Sequence, residues 1–324
     1  MKTFAHFNAV TIDEAVSHLR RYGSKAQLIA GGTDLLGKMK DRILPGYPEA
    51  LINLKTIAGL NAIEEDNGLL KIGALAILED IAHHDVVKTK YQALAEAARR
   101  TASPHLREMG TIGGNICQDI RCWYYRHPEN RFPCLRKGGG KCYALEGDKR
   151  YHSIFGASVE QGCIAVHPSD MAASLIALNA EIKTTQRTIK ADNFFQVDVS
   201  KTTVLAGDEF VTRIQIPSLP QNAKSTYLKF ALRKSIDFPI VSCAAMLGKV
   251  DDQVQSAGIC LNAVYVKPYR ARKAEEYMIG KQINETNAEK AAEAVVADAK
   301  PLGDNTYMVQ LAKVIIKRAI MACR

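Results

Sequence analysis

Between Thr11 and Tyr22 the apolar positions Ala15, Val16 and Leu19 share one face at helical spacing, and Thr11 precedes Glu14 as in a capping box. The pattern then shortens. In AQLIAGGTDLL an apolar strand over 27–30 runs into Gly31-Gly32-Thr33-Asp34 and then leucines, a strand followed by a glycine turn. Residues 51–54 (LINL) and 69–74 (LLKIGA) read as further strands, and 78–100, rich in Ala, Glu and Leu, as a helix. A second glycine turn, GTIGGN, spans 110–115. A segment broken by glycine and proline follows, after which HPSDMAASLIALNAEIKT predicts a helix opening near Ser169 and Asp170 and a strand from about Ala180.

Two prolines bracket a loop at 217–222, and a domain boundary is expected there. Beyond it TYLKFALRK and FPIVSCAAMLG alternate like antiparallel strands, GICLNAVYV adds another, and the alanine-rich helices NAEKAAEAVVADA and MVQLAKVIIKRAI close the chain. No internal repeat is visible. At 324 residues, two or three packed domains are expected, and 47% hydrophobic with 24% charged residues is close to the globular average.

The N-terminal residues carry polar or charged side chains every few positions, unlike a signal peptide, and no stretch reaches the roughly 18 apolar residues of a membrane span. A soluble, cytoplasmic protein is the expectation. Thiols in that compartment stay reduced, so the eight cysteines do not read as four disulfides.

Charge sharpens the view of one segment. The net charge is +9, and residues 121–150 hold eight basic side chains (Arg121, Arg126, Arg131, Arg136, Lys137, Lys141, Lys149, Arg150) against three acidic ones. No helix-turn-helix, zinc finger or RNA-binding aromatic strand accompanies them, so an acidic protein partner or a buried anionic cofactor suits them better than nucleic acid.

The first glycine turn lacks the GK[ST] of a P-loop and the GxGxxG of a dinucleotide fold. It reads as a simple tight turn or as backbone amides at Gly31, Gly32 and Thr33 set to approach a pyrophosphate. The second turn strengthens the latter reading, with Gly113 and Gly114 for close approach and Thr111 and Asn115 as side-chain donors.

Cys122, Cys134, Cys142 and Cys163 follow one another at steps of twelve, eight and twenty-one. None forms a CxxC pair, and neither standard ferredoxin run is present. Four thiols in a broken stretch can still wrap one site, zinc or iron-sulfur, or be structural buried cysteines, and nearby cations would reduce the cost of a partly buried anion. Cys117, Cys243, Cys260 and Cys323 sit in apolar company and read as packing residues. His83 and His84 read as surface residues. Of His105, His127, His152 and His167, one could serve as a ligand or proton carrier, but solvated side chains are the plainer expectation. No GxSxG elbow supports a hydrolase.

AGGTDLL, followed about 80 residues later by GTIGGN, then HPSD, YLKFALR and a closing KPLGDN, resembles the FAD-binding subunit of molybdenum hydroxylases of the xanthine dehydrogenase and carbon monoxide dehydrogenase family. The resemblance runs nearly end to end. It implies an α+β protein: a two-subdomain FAD-binding fold of the vanillyl-alcohol-oxidase/PCMH type (1–56 and 57–218), then a smaller C-terminal domain of antiparallel sheet plus helices (222–324). It assigns the FAD contacts to Leu28, Ile29, Ala30, Gly31, Gly32, Thr33, Asp34 and Leu35, and to Thr111, Gly113, Gly114, Asn115 and Gln118. Ser169 and Asp170 match a pair near the ribitol or ribose, and Lys229 a lysine near the flavin, where a cation would help set its potential.

Most members run from GGN to the Ser-Asp pair within about ten residues, whereas here Ser169 stands 54 positions after Asn115. The insertion, about 116–166, is similar to that of a subset of the family, typified by the beta subunits of 4-hydroxybenzoyl-CoA reductases, which carries an additional [4Fe-4S] cluster. By position the ligands would be Cys122, Cys134, Cys142 and Cys163. The resemblance further implies a large molybdopterin subunit, a small [2Fe-2S] subunit, a dimer of such heterotrimers and a ferredoxin-like carrier, with substrate chemistry on the partner chain. The flavoprotein subunits of bacterial aldehyde and xanthine dehydrogenases are the nearest alternative. A self-contained flavin oxidase and a zinc-stabilised binding module without redox activity are the rivals.

Overall fold

A computed structural model describes residues 1–157 and 162–324, so residues 158–161 of the insertion lie outside the described residues. Strands β1 (Ala5–Asn8), β2 (Ala26–Ile29) and β3 (Ala50–Asn53) form a parallel sheet in the order β1-β3-β2. Parallel pairing requires crossovers, and the helix Ile12–Tyr22 makes the first. Its start follows the sequence pattern. The Thr11 hydroxyl accepts from the Glu14 N–H at 3.1 Å, while the Glu14 carboxylate accepts from the Val10 N–H at 2.8 Å.

Strands β4 (Ile63–Asp66), β5 (Leu69–Gly73), β6 (Glu181–Thr184), β7 (Thr188–Lys190) and β8 (Val211–Pro217) form a second, antiparallel sheet ordered β4-β5-β8-β6-β7. The excursion between β5 and β6 carries both the second glycine motif and the insertion. Residues 78–100 make three helices instead of one: Leu78–His83, Asp85–Lys90 and Gln92–Arg100. One straight helix of that length would run about 34 Å. Breaks at His84 and Tyr91 instead let Ile81, Val87, Tyr91 and Leu94 all enter one core. The helix Asp170–Ala177, buried along its whole length, fills the centre of the same core.

The third sheet is an antiparallel meander of β9 (Ala223–Phe230), β10 (Val241–Val250), β11 (Gln253–Asn262) and β12 (Tyr269–Arg270), backed by helices Arg272–Met278, Glu285–Val296 and Tyr307–Ala322. The first of these helices went unread in the sequence. Tyr227, Ala244, Met246 and Cys260 from this sheet join the core around Leu70, Met171 and Leu175, so the two sheets share buried surface. The α+β expectation therefore holds. Residues near the C-terminus also grip the insertion. Asn305, fully buried, donates from Nδ2 to the carbonyls of His152 and Ser153 at 3.0 and 2.9 Å, and the Lys300 N–H reaches the Ile154 carbonyl at 2.7 Å. No helix among the described residues is long and apolar enough to cross a membrane.

Candidate functional site

The end of β2, the turn after it and the helix Leu35–Lys40 face the short helix Ile112–Ile116 across a cleft of about 370 Å³, a size suited to a small-molecule site. Leu28 to Leu35 line one wall, and Thr111, Gly113, Gly114, Asn115 and Gln118 line the other. The second glycine motif is a helix start here. Thr111 caps it by accepting the Gly114 N–H at 3.2 Å, so its hydroxyl is committed to the fold.

Gly31 has a packing role beside the expected ligand approach. A Cβ on Gly31 would lie 1.9 Å from the Met109 carbonyl oxygen, so the missing side chain lets the two walls of the cleft touch. Gly32 adopts φ +74°, where a side chain is strained. What faces the cleft is backbone: the N–H groups of Gly31, Gly32, Thr33 and Asp34 meet no acceptor among the described residues. Successive unpaired amides make a cradle for an anion, and a pyrophosphate fits that chemistry.

Ser169, Asp170 and Lys229 stand one layer deeper. The Ser169 hydroxyl donates to Asn115 Oδ1 at 2.5 Å and accepts from the Ala172 N–H at 3.2 Å, which ties the helix Asp170–Ala177 to the cleft wall. Asp170, 3% exposed, accepts from Lys229 Nζ at 2.8 Å and from the Tyr227 hydroxyl at 2.5 Å. Thr101, which lines the cleft, reaches the same carboxylate at 3.5 Å. Burial first, and then the Asp170 charge beside it, push the Tyr227 hydroxyl far above its usual titration range. Tyr227 and Thr101 were missed in the sequence. Tyr227 had a signal, since it lies two residues before Lys229 and so on the same face of β9.

Cys122, Cys134, Cys142 and Cys163 line a single cavity together with Ile120, Tyr125 and Ala165. The backbone amides of Tyr124 and Tyr125 lie near the Cys122 thiol and those of Arg136 and Lys137 near Cys134, though neither sulfur takes a capping hydrogen bond. Burial pushes the Cys122 thiol up to about 12 while these amides oppose it, an arrangement that a bound metal would exploit by taking the proton's place. Among the described residues no three His, Cys, Asp or Glu side chains converge tightly enough for one ion. The cavity that the four cysteines share is about 20 Å³, and four thiols are the donor set of either a zinc or an iron-sulfur site. Lys137 Nζ is buried with no hydrogen-bond partner among the described residues, and its nearest charge couplings are to Cys134 and Cys122. An anionic cluster would supply the missing counter-charge.

The histidines depart from the expectation of solvated side chains. His105 is exposed as expected, but His152 and His167 are 1% and 0% exposed. His152 Nε2 lies 3.3 Å from Cys122 Sγ, and the ring of His167 meets the edge of Phe195 at 4.8 Å. Cys117 lines the cleft wall, and burial pushes it up to about 12; Cys243, Cys260 and Cys323 are core residues. The basic excess is largely consumed internally. Arg126 binds Asp34, Arg136 binds the Asp198 and Val199 carbonyls, and Lys141 and Arg150 pair with Glu146 and Asp148.

Asp34 needs separate notice, because its carboxylate turns away from the amide cradle toward the insertion. It takes an ion pair from Arg126 and the Asp119 N–H at 3.2 Å, with Lys38 Nζ at 3.7 Å. Asp119 in turn binds Lys38, the Tyr125 hydroxyl at 3.0 Å and, through its carbonyl, Arg126 Nη2 at 2.6 Å.

An amide cradle at a cleft wall, ahead of a helical and antiparallel C-terminal domain, suits a protein that binds a phosphate-bearing cofactor. The family described as the FAD binding domain in molybdopterin dehydrogenase matches residues 2–219, and the carbon monoxide dehydrogenase flavoprotein C-terminal domain matches residues 226–323. The chain belongs to this family of FAD-binding molybdenum hydroxylase subunits and is an oxidoreductase subunit. It is 34% identical to the aldehyde oxidoreductase FAD-binding subunit PaoB of Escherichia coli, over 97% of this chain and 96% of that one. It is 28% identical to the carbon monoxide dehydrogenase medium chain of Hydrogenophaga pseudoflava, over 98% and 96% of the two chains. A solved structure of the carbon monoxide dehydrogenase of that organism, lacking the Mo-pyranopterin moiety of its cofactor, superposes with a TM-score of 0.79 at 27% identity, covering 99% and 97%. Family membership removes the zinc-stabilised binding module.

Proposed function

We propose that this chain is the FAD- and [4Fe-4S]-carrying electron-transfer subunit of a molybdenum hydroxylase complex. The observation that carries the reading is the pairing, within one chain, of an amide-lined cleft with a separate cavity walled by four thiols. FAD would supply two-electron and one-electron chemistry, and a cluster one-electron steps. The chain's own residues do the holding. Gly31 to Asp34 present N–H groups to the pyrophosphate, Asn115 is oriented by Ser169, and the Asp170–Lys229 pair fixes the charge under the cleft floor. Cys122, Cys134, Cys142 and Cys163 hold the cluster, with Lys137 as counter-charge.

Substrate chemistry then lies on a large molybdopterin subunit, reached through a small [2Fe-2S] subunit, in a dimer of heterotrimers within the cytoplasm. Aldehyde oxidation is the activity we favour for the complex, since the relative at 34% identity is named for it. The 4-hydroxybenzoyl-CoA reductase reading, with electrons entering from ferredoxin, rests on the insertion alone. Docking of an acidic ferredoxin on the basic segment is supported less by the structure than by the sequence, because most of those cations have internal partners.

Iron, acid-labile sulfide and flavin analysis of the chain purified without oxygen is the direct test. About four irons and four sulfides per FAD are expected, falling in Cys134→Ser and unchanged in Cys243→Ser. Flavin without iron would leave an FAD subunit and remove the cluster. Turnover of the purified complex with aldehydes, compared with reduction of 4-hydroxybenzoyl-CoA, decides between the two activities.

A further inference from the structure

The insertion and the flavin-side wall are physically joined at one short turn. The helix Trp123–Arg126 begins directly after Cys122, which is its N-cap residue. Its last residue, Arg126, crosses to the glycine turn. There the guanidinium binds the Asp34 carboxylate through Nη1, the Asp119 carbonyl through Nη2 at 2.6 Å and the Ile120 carbonyl through Nε at 3.0 Å. Tyr125, between them, lines the cysteine cavity with its ring and donates its hydroxyl to Asp119 at 3.0 Å. A second tie lies nearby, where the Glu129 N–H donates to the Asp41 carbonyl at 2.8 Å, just past the helix that opens at Leu35.

One turn of chain therefore has a cavity cysteine at one end and, at the other, a bidentate-capable cation on Asp34, the last residue of the amide cradle. Arg126 holds three acceptors at once, so it cannot move without releasing Asp34 or the 119–120 backbone. Asp34 immediately follows Gly31, Gly32 and Thr33, so its position sets how their amides are presented.

We propose that Arg126 is a positioning residue that clasps the cysteine-bearing segment to the flavin-binding turn, so that filling the cysteine cavity and binding FAD strengthen each other. This rests on the cluster reading for the identity of what fills the cavity, and linkage makes the effect reciprocal: whatever factor the filled cavity adds to FAD affinity, FAD adds to retention of the cluster. No substrate need be present.

The test is FAD affinity, followed by flavin fluorescence on the full chain, in iron-loaded and iron-stripped protein, for the wild type and Arg126→Ala. Stripping should weaken FAD binding at least tenfold in the wild type. Arg126→Ala should be weak in both states, with a ratio between them near one. Arg126→Lys, which keeps one charge and loses the fork, should fall between. A merely structural role would lower both affinities and leave the ratio unchanged, so equal stripping factors in the two proteins would overturn the clasp. So would wild-type FAD affinity in Arg126→Ala. If that variant fails to fold, Arg126→Lys decides on the same ratio: a stripping factor below that of the wild type supports the clasp, and one equal to it overturns the clasp. A wild type without iron would remove the cluster reading and the coupling with it, whereas iron-loaded protein with equal stripping factors would overturn the clasp alone.

Discussion

Asp170 and Lys229, 59 residues apart, form an ion pair at 2.8 Å with their side chains 3% and 6% exposed, joining the central helix to the first strand of the C-terminal sheet. Charges removed from water this far are tolerated only as a pair. Lys229→Met should therefore destabilise the chain by about 3–5 kcal/mol, because Asp170 would be left buried and charged. Combining it with Asp170→Asn should recover much of the loss, since Tyr227 can still donate to the amide oxygen. Urea unfolding of the two variants measures the difference.

His167 makes stability depend on pH. Burial lowers its pKa from 6.5 to about 3, so below pH 6.5 the unfolded chain takes up a proton that the folded chain refuses. The loss begins as pH falls through 6.5, grows until about 3 and is absent at neutral pH. At pH 5 it amounts to about 2 kcal/mol. Unfolding free energies at pH 7 and pH 5 should differ by about that much more in the wild type than in His167→Gln, and an identical pH dependence would remove the assignment.

Lys137 should act with opposite signs in the two states of the cavity. Without metal, its buried unpartnered ammonium costs about 1–3 kcal/mol, so Lys137→Met should stabilise the iron-stripped chain. With a cluster bound, the same change removes a nearby cation, and the midpoint potential should move to a more negative value. Thermal melts of stripped protein and a redox titration of loaded protein check both halves.

Gly31→Ala places a methyl group 1.9 Å from the Met109 carbonyl oxygen, which only a shift of backbone can relieve. A cost of about 1–3 kcal/mol in stability and at least a tenfold loss of FAD affinity are expected. Gly37→Ala, on the helix that follows, meets nothing within 4 Å and serves as the control.

Local pattern was enough wherever a residue's partners lie within a turn or two. Thr11 and Glu14 cap their helix as their spacing requires, and the alternation in 223–262 gives the meander. It failed where partners come from afar. Nothing in the run 78–100 marks His84 and Tyr91 as breaks, because those breaks are set by the core that Tyr91 enters and not by a proline or glycine. His152 and His167 looked solvated because their neighbours Cys122 and Phe195 lie 30 and 28 residues away. The four cysteines were legible as a group from their isolation in one broken stretch. Asp34 was legible as part of the glycine turn that lines the cleft, but its partner Arg126 is 92 residues distant and was visible only as one cation among eight.

The grip of Asn305 on the carbonyls of His152 and Ser153 has a bearing on biosynthesis. A ribosome makes the four cysteines long before it makes residue 305, and until then the far end of the cysteine-bearing segment lacks two of its hydrogen bonds. These two bonds therefore form only after residue 305 has been made, so the chain at 152–153 is tied down later than the four cysteines are synthesised.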